Sequence, residues 1–148
     1  YAFTSGHLSR WTAWKEGYRP QISGNKVSFV KTAAPRSDRA SWRGWLATVF
    51  TYAGTRSLDA TLHAVAQQEV QPGDVFVQGG GPGHAVIVLD LAADAAGRRV
   101  ALLGQGFMPA QSLQVLRDAD GDAWFSLEGQ EVTTPFWAPF TWEDLRRF

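Results

Sequence analysis

The stretch Pro72-Gly73-Asp74-Val75-Phe76-Val77-Gln78, continued by Gly79-Gly80-Gly81-Pro82-Gly83 and then His84-Ala85-Val86-Ile87-Val88-Leu89, decides the fold. Pro72-Gly73 is turn chemistry, the apolar run after it reads as a strand, and the glycine run reads as a reversal into a second strand. Val86, Ile87, Val88 and Leu89 are apolar without a break, which predicts a central strand buried on both faces. A third strand, Val100-Ala101-Leu102-Leu103-Gly104, ends at Gln105. Adjacent antiparallel strands joined by a short connection bring the start of one beside the end of the next. His84 opens the second strand and Gln105 closes the third, so the two side chains are expected to be neighbours.

Working outward, strands are predicted near residues 74–78, 84–91, 99–104, 113–117 and 123–127, with hairpin connections at 93–97 and 118–122. Upstream, Ser37 or Asp38 caps a helix on which Trp42, Trp45, Leu46, Val49 and Phe50 recur at helical spacing, and Gly54 stops it. Ser57 is read as the cap of a second helix carrying Leu58, Leu62, His63 and Val65. Residues 6–34 read as a long aromatic-pinned loop with short strands, because Gly17, Pro20 and Gly24 break any helix there. Near the end, Thr141 caps a last short helix, with Asp144 at the position that answers a capping threonine. Helices first and an antiparallel meander second imply an α+β fold: an antiparallel sheet of about five strands with two main helices packed on it.

Bulk composition narrows the function. The chain has 148 residues, 45% of them hydrophobic and 19% charged, a globular composition that suits a single domain. Its formal net charge is zero, which argues against a nucleic-acid partner, since phosphate-backbone binding needs clustered Lys and Arg. No apolar run reaches the length of a membrane span. The absence of cysteine excludes disulfides, thiolate metal sites and a thiol nucleophile within these residues. The chain opens on Tyr1-Ala2-Phe3-Thr4-Ser5, which reads as the tail of a strand and suggests a processed product or the C-terminal part of a longer domain.

His84, at a strand mouth with Gly83 before it, suits a general base, whose reach must be tightly fixed. The alternative is a buried histidine bonded to a backbone carbonyl. Gln105 would accept the ring N–H and fix the tautomer without adding a negative charge. Gly80, Gly81 and Gly83 are read as a site-lining loop that lets a substrate backbone approach; the run lacks the following Lys and Ser or Thr of a phosphate loop. The three histidines, His7, His63 and His84, have no metal-ligand spacing, so neither a metal nor another cofactor is expected. Asp74 and Asp90 show no sign of an acid/base dyad. Most of the seven tryptophans read as core, and Trp11 and Trp14, in the irregular segment, are the best candidates for ligand contact.

Several stretches resemble a bacterial family, domain of unknown function 4846: Phe3-Thr4-Ser5-Gly6, residues 50–58, Pro72 to Val88, residues 102–111, and Arg146-Arg147-Phe148. The Pro-Gly-Asp strand before a Gly-His strand is also similar to NlpC-type, papain-like cell-wall peptidases. That resemblance implies a papain-like core lacking its N-terminal segment, with His84 as base, Gln105 as its orienter, and Met108 with the Gly79–Gly83 loop lining a cleft. It implies hydrolysis of a peptide or peptidoglycan amide, a thiol supplied by an upstream segment or a second chain, and an envelope or secreted location. A non-catalytic groove for a peptide or glycan, with Trp11 and Trp14 as contacts, is the alternative, and a serine stand-in at Ser5 or Ser41 is a third option.

Overall fold

The computed structural model describes residues 1–107 and 112–148, folded as two compact units, Tyr1–Thr61 and Leu62–Phe148.

The first unit opens with a short helix α1 (Trp11–Lys15) and an antiparallel hairpin of β1 (Tyr18–Ser23) and β2 (Lys26–Lys31). Residues 6–34 are therefore more regular than expected. Gly24, at φ 57°, and Asn25 make the two-residue hairpin turn, and glycine is favoured at its first position because φ is positive there. Pro20 does not interrupt this two-stranded ribbon and pairs opposite Phe29. Helix α2 (Arg39–Tyr52) starts at Asp38, whose carboxylate accepts the Ser41 N–H at 2.8 Å. That bond is the main cause holding the Asp38 carboxyl below its ordinary range, and Arg36 adds to it. The predicted core stripe of α2 is not core: no residue of the helix is buried, and Phe50 is 80% exposed. Spacing reveals an apolar stripe but says nothing about what covers it.

Helix α3 (Thr55–Thr61) begins before Ser57, whose hydroxyl bonds back to the Gly54 carbonyl. It ends before Leu62, His63 and Val65, which the sequence pattern assigns to it. Instead His63–Ala64 forms strand β3, paired with the end of the chain. The helices thus belong to the unit before the sheet.

The second unit contains the sheet, which has seven strands where about five were expected. It comprises β3, β4 (Val75–Gln78), β5 (His84–Ala93), β6 (Arg99–Gln105), β7 (Gln114–Val115), β8 (Trp124–Ser126) and β11 (Leu145–Arg147), all in antiparallel pairs. The order is β3-β11-β4-β5-β6-β7, with β8 also pairing β6. The two unforeseen strands, β3 and β11, are short and come from opposite ends of the unit. A separate pair joins β9 (Glu131–Val132) to β10 (Phe140–Thr141). The Thr141–Asp144 capping box forms as read, around a single 3-10 turn at Trp142–Asp144.

Strand β5 is central, but only one face is fully buried. Val86 and Val88 are covered, while Ile87 and Leu89 are half-buried. Val86, Val88, Phe76, Leu103, Phe140 and Leu145 form the centre of the core. Asp74, 1% exposed, enters this core as a clamp. Its carboxylate takes a two-pronged contact from Arg147, at 2.7 and 2.8 Å, and accepts the Gln71 N–H at 2.9 Å. The hydrogen bond to Asp74 is the main cause pushing the Arg147 guanidinium above its ordinary value. The Pro-Gly-Asp motif thus ties the entry of β4 to the last strand.

Candidate functional site

Side chains two residues apart along a strand share a face, and directly paired residues share it across strands. His84 therefore lies on the core face with Val86 and Val88. Gln78 pairs directly with His84, which puts it on that face as well. The register that pairs Ile87 with Gly104 brings Gln105 level with Val86, one diagonal from His84. Three polar side chains thus form a row across β4, β5 and β6 at one end of an apolar core.

Within that row, His84 Nε2 and Gln105 Oε1 are 2.7 Å apart, with the two residues 8% and 2% exposed. With the amide oxygen as acceptor, the neutral ring carries its proton on Nε2 and leaves Nδ1 as its basic nitrogen. The amide nitrogen of Gln105 is buried and has no hydrogen-bond partner among the described residues. A buried donor without a partner costs about 1–3 kcal/mol. Packing alone gives no reason to keep an amide at this position.

Aromatic rings enclose the pair. Trp137 lies over the His84 ring at 4.9 Å between centroids, tilted by 36°. Phe107 meets it edge-on at 5.4 Å, and Phe140 lies 6.3 Å away. Gln78 holds Trp137: its Oε1 accepts the indole N–H at 2.7 Å. Its amide nitrogen donates to the Pro139 carbonyl at 2.9 Å and to Asp144 Oδ2 at 3.1 Å. Asp144 is the carboxylate of the Thr141 capping box, so the last turn of the chain is wired through Gln78 to the ring above His84. Phe136, next to Trp137, faces Phe107 at 6.4 Å.

The loop between β4 and β5 carries Gly80, Gly81 and Gly83 beside His84. At Gly80 a Cβ would stand 2.5 Å from the Pro82 carbonyl oxygen, so no other residue fits without movement. Met108 lies outside the described residues. Trp11 and Trp14 belong to the first unit and sit on helix α1, not on a loop. The Arg19 guanidinium lies 3.8 Å over the Trp14 ring, and Trp11 packs 6.2 Å from Trp45.

Gln78, Phe107, Phe136, Trp137 and Phe140 escaped the sequence reading. Gln78 had a usable signal, because counting the pairing back from the glycine turn sets it opposite His84. The remaining four reach the site from the β9–β10 connection, from the two-residue strand β10 and from the segment after β6, where no periodicity points.

Among the described residues, no group of three or more His, Cys, Asp or Glu side chains is placed to hold a metal ion, and no helix is long and apolar enough to cross a membrane. No curated protein and no solved structure matches the chain. A family model does match, over residues 1–147. The chain belongs to the family called domain of unknown function 4846.

Proposed function

We propose that this domain is the base-bearing part of a papain-like cysteine hydrolase acting on a peptide or peptidoglycan amide, with the thiol supplied from outside these 148 residues. The observation that carries the reading is the buried His84 Nε2 to Gln105 Oε1 contact of 2.7 Å. It fixes one tautomer of a ring that has no partner on Nδ1 among the described residues.

In this reading Nδ1 takes the proton of the thiol, and the thiolate attacks the amide carbonyl carbon. The imidazolium then protonates the departing amine as the C–N bond breaks, leaving a thioester. Water, deprotonated by Nδ1, hydrolyses the thioester and restores the thiol. Gln105 accepts from Nε2 in both charge states of the ring, so the pair needs no rearrangement during the cycle. Trp137 and Phe107 limit the access of water to the ring.

The test is thiol trapping on the polypeptide that carries this domain with its natural upstream coding sequence. Iodoacetamide should label one cysteine faster than free cysteine, and His84→Ala should slow that labelling. Absence of a fast-labelling cysteine, with the His84 site folded, would leave a second reading: a non-catalytic peptide- or glycan-binding groove. The observation that favours this second reading is that the 148 residues contain no cysteine.

A further inference from the structure

Phe136 is doubly unfavourable for folding. It is the only non-glycine residue with positive φ among the described residues, at 68°, and it is 82% exposed. The turn Thr134-Pro135-Phe136-Trp137 has proline where φ near −65° is wanted and Phe136 where positive φ is wanted. Glycine or asparagine meets that second requirement at least steric cost. A glycine there would relieve the backbone and remove an apolar ring from water. The turn carries a large ring instead, and strained non-glycine positions cluster where a side chain serves a ligand.

The ring is also well placed. Phe136 meets Phe107 at 6.4 Å and 62°, and Phe107 meets the His84 ring at 5.4 Å and 66°. Both are T-shaped contacts, in which the edge of one ring covers a face of the other, and Phe136, 82% exposed, still offers most of its ring to another apolar group. The ledge runs from solvent to the base. The rings in contact with His84, those of Phe107, Trp137 and Phe140, are uncharged. The nearby carboxylate of Asp144 is already engaged by Thr141 and Gln78.

We propose that Phe136 is a specificity-determining residue, forming with Phe107 a ledge for an uncharged, bulky apolar side chain of a peptide beside His84. This rests on and deepens the reading of the His84 site as a place where peptides are processed, and an apolar peptide side chain is favoured over a glycan because the two ledge rings carry no group that could hydrogen-bond sugar hydroxyls.

The experiment is an NMR titration of the full chain with N-acetyl-phenylalanine amide, N-acetyl-alanine amide and N-acetylglucosamine, reading the ring signals of Phe107 and His84. The phenylalanine amide should shift both signals saturably, while the other two should not. Phe136→Ala should weaken that binding roughly threefold to tenfold, the range expected for losing one aromatic pair. Phe136→Tyr should restore it. Phe136→Gly should lose binding as Phe136→Ala does, yet melt at a higher temperature than the parent, which shows that the loss is not unfolding. Binding of the phenylalanine amide that is indifferent to Phe136→Ala, binding of the sugar instead, or no binding at all would overturn the proposal. The outcome is separate from thiol trapping: a ledge that binds while no thiol is trapped retains the specificity and removes the catalysis.

Discussion

Gln105→Leu separates a residue kept for its site from one kept for folding. The parent holds one good hydrogen bond, from His84 Nε2 to Gln105 Oε1 at 2.7 Å, and the Gln105 amide nitrogen has no partner among the described residues. Leucine removes both. Losing the bond and leaving the His84 N–H unpaired destabilises by about 1–3 kcal/mol, and removing the orphan donor returns about 1–3 kcal/mol. Leucine is close to glutamine in size, so little cavity opens, and its extra apolar surface is buried at a position 2% exposed. The two terms offset, so the net change should centre on zero and stay within about 2 kcal/mol. Urea unfolding should then show a smaller midpoint shift than Gln105→Ala gives, with an unchanged slope. Gln105→Ala, which opens a cavity as well, should lose about 2–4 kcal/mol. If the leucine variant is as unstable as the alanine variant, the amide nitrogen is bonded in the folded protein and the reasoning fails.

Further outcomes follow from the same geometry. Gln78→Leu removes the acceptor of the Trp137 indole N–H, so that proton should exchange faster with water while the unfolding midpoint changes little; unchanged exchange would mean that Trp137 is held by packing alone. Phe76→Ala empties a site that is 0% exposed and lies between Phe140 and Trp142, at 5.8 and 5.6 Å, and should lose about 3–5 kcal/mol in urea unfolding. A much smaller loss would mean that the core collapses into the space. The Asp38 carboxyl is more acidic folded than unfolded, chiefly through the Ser41 N–H. Its contribution to helix α2 is therefore present at neutral pH and disappears as pH falls through the folded value, below about pH 4. Circular dichroism of Asp38→Ala should show a shallower loss of helix on acidification than the parent, and equal slopes would remove Asp38 as the cause.

How much of this was legible depended on how local the signal was. Strands β4, β5 and β6 follow from apolar runs bounded by turn residues, and they occur at Val75–Gln78, His84–Ala93 and Arg99–Gln105, close to the expected ranges. Antiparallel pairing of neighbours was enough to bring His84 and Gln105 together. The Asp38 cap and the Thr141–Asp144 box are likewise contacts within one turn of chain. The rest is set by distant partners. Leu145–Arg147 becomes a strand because Asp74 and β4 receive it, and His63–Ala64 becomes one because Arg146 and Arg147 lie alongside. Two- and three-residue strands carry no alternation to read. Trp137 looked like any other tryptophan until Gln78 fixed it over His84. Phe136 could be found only from its backbone angle, which composition does not reveal.

Under the proposed function, Gln105 holds the His84 ring with its proton on Nε2, and Nδ1, without a partner among the described residues, is left to act as the base. A long-range proton–nitrogen correlation spectrum of the His84 ring tests it most directly. The neutral ring should carry its proton on Nε2, and Gln105→Leu should let the two tautomers mix. A proton on Nδ1 in the parent protein, or a ring that already averages between tautomers, would contradict it.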